Sequence, residues 1–297
     1  MSATTEIKTA YRVIKIHHLP QENIDEKTVS SFGEEWKAFH GFTASDLKTI
    51  GDKYFDIVTP QMLNDSMKVI DIGCGSGRFI KYLKGRYAHI TGIDPSQAIF
   101  AANELIGKDE QVELIQASTD NIPFDNSYFD FGFSLGVLHH IPDTKKALID
   151  CVKKIRPGGH FLVYLYYNLD NKPYYFRIIY YLSNFIRLVI SHMPARLKKI
   201  FCAFLAVVIY MPFVGLCRLL KKFNVPERIR RNIPLQAYED QSFYVIRNDS
   251  LDRFGTPLEQ RFSRKQIQNM MEEAGLTEII FSEHIPYWHA VGKKITA

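Results

Sequence analysis

The sequence predicts an α/β fold, a parallel sheet with helices on both faces, and three observations predict it. From Met67 onward, short apolar runs alternate strictly with segments of helical period. A glycine-rich turn, Gly73-Cys74-Gly75-Ser76-Gly77, separates the first apolar run from the first helical segment. After a long interruption the pattern resumes near Phe262 and closes with two more strand-like runs.

Taken in order, residues 1–66 carry mixed polar and aromatic segments, Phe32 to Phe39 among them, that read as an N-terminal helical cap. Residues 67–168 form the core. Strands are expected at MKVIDIG, HITGID, VELIQAS, FDFGFSLGVL and HFLVYLYY, with helices at GRFIKYLKG, SQAIFAANELIG and KKALIDCVKKI between them. An insert occupies 169–261. Residues 262–297 then supply a helix, RKQIQNMMEEAGL, that ends at Gly275, and two strands, TEIIFSEH and WHAVGKKI, joined at Ile285-Pro286.

Composition bounds the function classes. With 297 residues, 46% apolar and 23% charged, the chain is an ordinary globular one, long enough for one large domain and an elaboration. Its four cysteines, Cys74, Cys151, Cys202 and Cys217, lack paired metal-ligand spacing, so no metal is expected and a reduced compartment fits. The first fifteen residues lack the apolar core and cleavage site of a secretory signal, so a cytoplasmic location is expected. The net charge of +5 is unevenly spread: Lys172 to Arg231 holds twelve Lys and Arg against one acid, Glu227, which makes that stretch +11 and leaves −6 for the rest.

The string VIDIGCGSGRF sets Asp71 at the end of a buried strand, ahead of glycines 73, 75 and 77 and a helix. Such a turn bends sharply and lets backbone approach a ligand, while the free amides of the next helix favour a carboxylate. S-adenosylmethionine (SAM) offers that carboxylate, and Asp71 can meet its ammonium. GIDPS then places Asp94 about 20 residues on, where an acid takes ribose hydroxyls in dinucleotide folds. A nicotinamide dehydrogenase shares these parts, but its fingerprint is GxGxxG and this chain has GxGxG from Gly73.

Four blocks in order, VIDIGCGSG, GIDPS, NIPFDNSYFDFGFSLGVLHHIPD and IRPGGHFLVY, resemble class I SAM-dependent methyltransferases of the UbiE-like small-molecule branch, over Met67 to Ile295 apart from the insert. The resemblance implies a Rossmann-like seven-stranded sheet whose last two strands form an antiparallel hairpin. It implies SAM as cofactor, contacted at Asp71, Gly73, Cys74, Gly75, Gly77, Asp94, Pro95, Ser118, Thr119, Asp120, Ser134 and Leu135. Where many relatives have an acid for the adenine amino group, this chain reads Gln116-Ala117-Ser118-Thr119, so Ser118 or Asp120 is expected to serve.

Methyl transfer from a sulfonium needs mainly in-line alignment, and a hydroxyl acceptor also benefits from a general base. His139 and His140 follow the fourth core strand, at the end of the sheet where ligands bind, and the resemblance puts this motif beside the methyl group. His140 is the expected base, with His139 as the other catalytic candidate; packing under the loop is the competing role for either. His289 is expected to be structural. Trp36, Phe39 and Tyr54 are candidates to close over SAM, although aromatic residues so spaced also build simple cores. Trp36, Arg253, Phe254 and Gln260 are expected to touch the acceptor.

In the insert, Ile200 to Cys217 runs eighteen residues without a charge between basic flanks. A single crossing is excluded, because the last strands must return to the same sheet. Before it, Arg177, Asn184, Arg187 and Ser191 share one helical stripe, read as basic residues facing lipid headgroups. Two readings stand: an in-plane or re-entrant attachment to an anionic membrane face, and a soluble helical lid. The expected acceptor is a small or lipid-linked molecule such as a quinone, glycolipid or glycan precursor; RNA is the alternative acceptor, and a non-catalytic SAM-binding partner protein the alternative class.

Overall fold

The computed structural model describes residues 4–18, 22–38 and 43–296, excepting the side chains of 34–38. Two units make up the chain, one from residues 1–167 with 258–297 and the other from 168–257.

Seven strands of the first unit are those the sequence marks. They are β3 (Lys68–Ile72), β4 (His89–Ile93), β5 (Val112–Gln116), β6 (Phe129–Leu135), β7 (Ile155–Tyr164), β8 (Leu276–Phe281) and β9 (His289–Lys294). Near-continuous Val, Ile, Leu and Phe make the central strands buried on both faces, as a parallel sheet requires. The sheet runs β5-β4-β3-β6-β7-β9-β8, parallel except that β9 lies antiparallel between β7 and β8.

Two further strands were expected as helix. β1 (Thr4–Lys8) and β2 (Val13–His17) form an antiparallel hairpin, and β2 extends the sheet in parallel beside β5, giving nine strands among the described residues. The N-terminal cap is therefore only partly helical. The cause is edge chemistry: every residue of β1 is exposed, so Thr, Glu and Lys alternate where a core strand would show an apolar run. A turn in which Thr9 donates to the Arg12 carbonyl (2.7 Å) and the pair Lys15–Glu113 (2.7 Å) fix the hairpin.

Helices α1 (Glu26–Ala38) and α2 (Ala44–Tyr54) follow the hairpin. Asp25 starts α1 by accepting from the Thr28 amide (2.8 Å), and a Thr43–Asp46 capping box starts α2. The covering helices are α3 (Arg78–Tyr82), α4 (Ala98–Ile106) and α5 (Thr144–Lys153). They pack on strands through residues such as Ile80, Ala102 and Leu148.

The second unit is helical and slightly shorter than the expected insert. Its helices are α6 (Tyr174–Ile190), α7 (Ala195–Leu205), α8 (Met211–Lys222), α9 (Glu227–Arg230) and α10 (Phe243–Gly255). A π-helical turn, Ala206–Tyr210, joins α7 and α8 into one helix of 28 residues. Back in the first unit, α11 (Arg264–Glu273) begins with a Ser263–Gln266 capping box.

Candidate functional site

The carboxyl ends of β3 and β4 hold the residues expected to contact the cofactor. Gly73 sits at φ 79°, and a Cβ there would lie 2.4 Å from Val137 Cγ1, so only glycine fits. Amides of Gly73 and Cys74 donate to the Ile93 carbonyl (2.8 and 2.9 Å), and the Gly75 amide donates to Asp94 Oδ2 (3.0 Å), locking the glycine turn to the end of β4. Gly73→Ala is expected to cost about 2–4 kcal/mol, from a left-handed Cβ and overpacking. Thermal unfolding checks the loss, and SAM titration should show binding lost with it.

Asp71 is 1% exposed, and its Oδ2 is buried without a hydrogen-bond partner among the described residues. Burial first, and the like charge of Asp94 second, push its pKa well above the carboxylate range. Such a group fits an incoming cation with N–H donors, which is what the SAM ammonium provides. Asp94 Oδ1 accepts from the amide and hydroxyl of Ser96 (2.8 and 2.6 Å). Burial raises the Asp94 pKa despite these bonds. The Cys74 thiol is buried and pushed well up, so it serves as packing under the turn.

At the expected adenine end, Asp120 is committed elsewhere. Its Oδ1 accepts from the Ser118 hydroxyl, and its Oδ2 from the amides of Glu22 (2.8 Å) and Asn23 (3.3 Å). Burial alone would raise Asp120, but these bonds outweigh it and hold its pKa below the usual range. Asp120 therefore anchors the N-terminal segment, while Ser118 keeps lone pairs to accept with. A candidate acceptor that sequence reasoning did not single out is Gln116: its Nε2 donates to the Pro95 carbonyl (3.0 Å), and its buried Oε1 has no partner among the described residues. Nothing in the sequence fixes which way that amide turns. Thr119 is buried in the turn beside Ser118; Ser134 staples β6 to β3 through the Ile72 carbonyl (2.8 Å), and Leu135 is buried at the end of β6.

The two histidines divide into different roles. His140 Nδ1 lies 2.7 Å from the Leu258 carbonyl, which only accepts, so Nδ1 carries the proton and Nε2 is the basic nitrogen. The ring is 5% exposed and packs beside Phe32 (centroids 4.9 Å) and His139 (4.0 Å). His139 is fully buried and stacked on Tyr166 (3.8 Å), with Nδ1 accepting from the Tyr166 amide (3.4 Å). Burial, then neighbouring His140, drives its pKa well below the usual value, so His139 stays neutral and packs.

Helix α1 connects these parts. Phe32 touches His140, while neighbouring Gly33 lies so near the loop after β4 that a Cβ would be 3.5 Å from the Gln97 amide. Asn23, just before α1, exchanges two hydrogen bonds with the Asp143 backbone (2.9 and 2.8 Å). Asn23→Ala should cost about 1–3 kcal/mol by orphaning these groups. It should also lower turnover with SAM affinity preserved, which paired kinetics and titration check.

The expected acceptor residues fall in both units. Gln260 is a positioning residue: its Nε2 donates to the Ile141 carbonyl (2.7 Å) and its amide to the His139 carbonyl (3.0 Å), holding the histidine loop. Arg253 and Phe254 belong to the second unit. Arg253 donates to Ser183 (2.9 Å) and stacks on Tyr180, and Phe254 is buried. The Trp36 side chain and Phe39 lie outside the described residues. Tyr54 packs on Phe79 of α3 (5.3 Å) and on Tyr164 (5.2 Å). His289 is fully buried, with Nδ1 2.7 Å from the Pro286 carbonyl and Nε2 2.7 Å from Asp56, a structural tie.

The methyltransferase domain family matches residues 70–163, the stretch from β3 to β7. A ubiquinone biosynthesis O-methyltransferase of Alkalilimnicola ehrlichii is 30% identical over 39% of this chain and 47% of its own length. A sterol 4-C-methyltransferase of Caenorhabditis elegans is 28% identical over 38% of this chain and 36% of its own. For a tRNA U34 carboxymethyltransferase of Nautilia profundicola the figures are 32%, 37% and 37%. The chain thus spans less than half the length of each of these three relatives. Residues 70–163, with the glycine turn after β3 and the strand order of this sheet around them, thus match the methyltransferase domain family, whose members of the class I type use SAM.

Proposed function

We propose that the chain transfers a methyl group from SAM to a hydroxyl on a small, lipophilic acceptor. The observation that carries the reading is the joint presence of an orphaned, buried Asp71 carboxylate beside the glycine turn and a His140 ring pinned in the tautomer that leaves Nε2 basic. Bound SAM supplies the electrophilic methyl. Asp71 holds the ammonium, Asp94 the ribose, and the glycine turn the carboxylate. His140 Nε2 takes the hydroxyl proton as the acceptor oxygen attacks, and the Leu258 carbonyl steadies the imidazolium that results. Relatives named for a ubiquinone-pathway oxygen and a sterol carbon support a lipophilic acceptor.

The test is incubation of purified protein and methyl-labelled SAM with a cell lysate, followed by counting label in organic, nucleic-acid and aqueous fractions. Label in the organic phase is the expected result. Label in nucleic acid would overturn the proposal in favour of an RNA acceptor, the class named by the Nautilia relative. Label confined to water-soluble small molecules would also overturn it.

A further inference from the structure

The unit from residues 168–257 buries three charged side chains, Arg187, Arg230 and Glu239, while many of its apolar ones are exposed. Arg187, expected to face headgroups, is buried instead and donates to the carbonyls of Thr256 (2.8 Å) and Pro257 (2.6 Å) and to Asn184 (2.9 Å). Arg230 and Glu239 form a buried bidentate pair (3.0 and 2.9 Å) that Gln236 joins, and Tyr210 donates to Asp249 (3.0 Å).

Two apolar stripes lie on the outside. On α6, Tyr174, Ile178, Tyr181, Leu182, Phe185 and Val189 form one exposed stripe at helical spacing, with Phe185 70% exposed. On the continuous α7–α8 helix a second stripe runs through Leu197, Ile200, Phe204, Val208, Leu216 and Leu219, with Phe204 59% exposed. That helix is long and apolar enough to cross a membrane, yet only 28% of its most apolar eighteen-residue stretch is buried within the protein, unlike a core helix. The opposite faces of both helices meet α10: Arg253 reaches Ser183 on α6, and Ser250 donates to the Cys202 carbonyl on α7 (2.7 Å). Both stripes therefore point away from α10.

We infer that these exposed stripes dock in the plane of an anionic lipid bilayer. Charge names the partner: exposed Arg177, Arg196 and Lys222 border the stripes, in the stretch that carries +11. The route of the chain sets the mode. It leaves the first unit after Tyr167 and returns at Leu258, with Tyr167 paired to Phe262, so both ends of the unit stay on one side of the bilayer. An in-plane helix pair with an apolar face is the arrangement that anchors proteins in the headgroup and acyl boundary. The inference is independent of which acceptor is methylated.

Flotation of the full chain with vesicles of phosphatidylglycerol and phosphatidylcholine, against phosphatidylcholine alone, tests it. Binding to the anionic vesicles should be about tenfold tighter or more. Phe185→Asp with Phe204→Asp should lose binding about tenfold or more while SAM titration and helix content stay unchanged, since both side chains are exposed. Arg196→Glu with Lys222→Glu should remove the preference for anionic lipid. Three outcomes overturn the inference: wild-type protein that does not float at low salt, a Phe185/Phe204 double variant that floats as well as wild type, or a wild-type dimer that fails to float and that the double variant turns into a monomer.

Discussion

Asp71→Asn is expected to weaken SAM binding by about 30- to 1,000-fold, the loss of about 2–4 kcal/mol from one partner of a buried charge pair. The unliganded protein should be no less stable for the change, because the wild-type carboxylate is buried with an unmet oxygen and a like-charged neighbour. Opposite effects on ligand affinity and intrinsic stability separate a ligand-binding carboxylate from a structural one. Calorimetric titration and thermal unfolding without SAM check the two halves.

The same carboxylate sets a pH dependence. Its folded-state pKa is raised, so the stability it contributes is fully present below the ordinary carboxylate pKa and is lost as pH rises through the raised value. The SAM ammonium reverses that penalty. Affinity for SAM should therefore fall as pH is lowered through the raised value, and the thermal shift that SAM produces should grow as pH rises. Asp71→Asn should flatten both trends.

His140→Ala should reduce turnover by about 10²- to 10⁴-fold, the range for removal of a general base. SAM affinity should change little, because His140 packs with Leu258, Phe32, His139 and Tyr166. The alanine also leaves a cavity, costing stability of about 1–3 kcal/mol. His140→Gln controls for that loss by restoring volume and a donor without a base. If the glutamine variant regains turnover along with stability, His140 is a packing residue. His139 gives the contrast: being neutral and stacked on Tyr166, its replacement by Phe should cost stability with no change in the pH profile.

How far the sequence disclosed this arrangement depended on local physics. The glycine turn and Asp94 were legible because a left-handed backbone and a strand-end acid leave residue-level marks. The hairpin β1–β2 was not, since an edge strand with one solvated side has too little apolar patterning to register. Asp120 misled because its partners, the Glu22 and Asn23 amides, are nearly a hundred residues away and are backbone groups. Gln260 was legible as lying near the site, but its role in holding the Ile141 carbonyl is set by tertiary contact alone. The polar stripe on α6 was visible; which way it faced depended on Thr256 and Pro257.

The most direct test of the central claim is mass spectrometry of the product formed when wild-type protein and its His140→Gln variant are given methyl-deuterated SAM and a lipid extract. The account predicts that wild-type protein places the deuterated methyl on oxygen of an extractable, lipophilic molecule. The variant should bind SAM equally well and form that product at least about a hundredfold more slowly. Equal rates for the two proteins, or transfer to carbon or nitrogen alone, would contradict it.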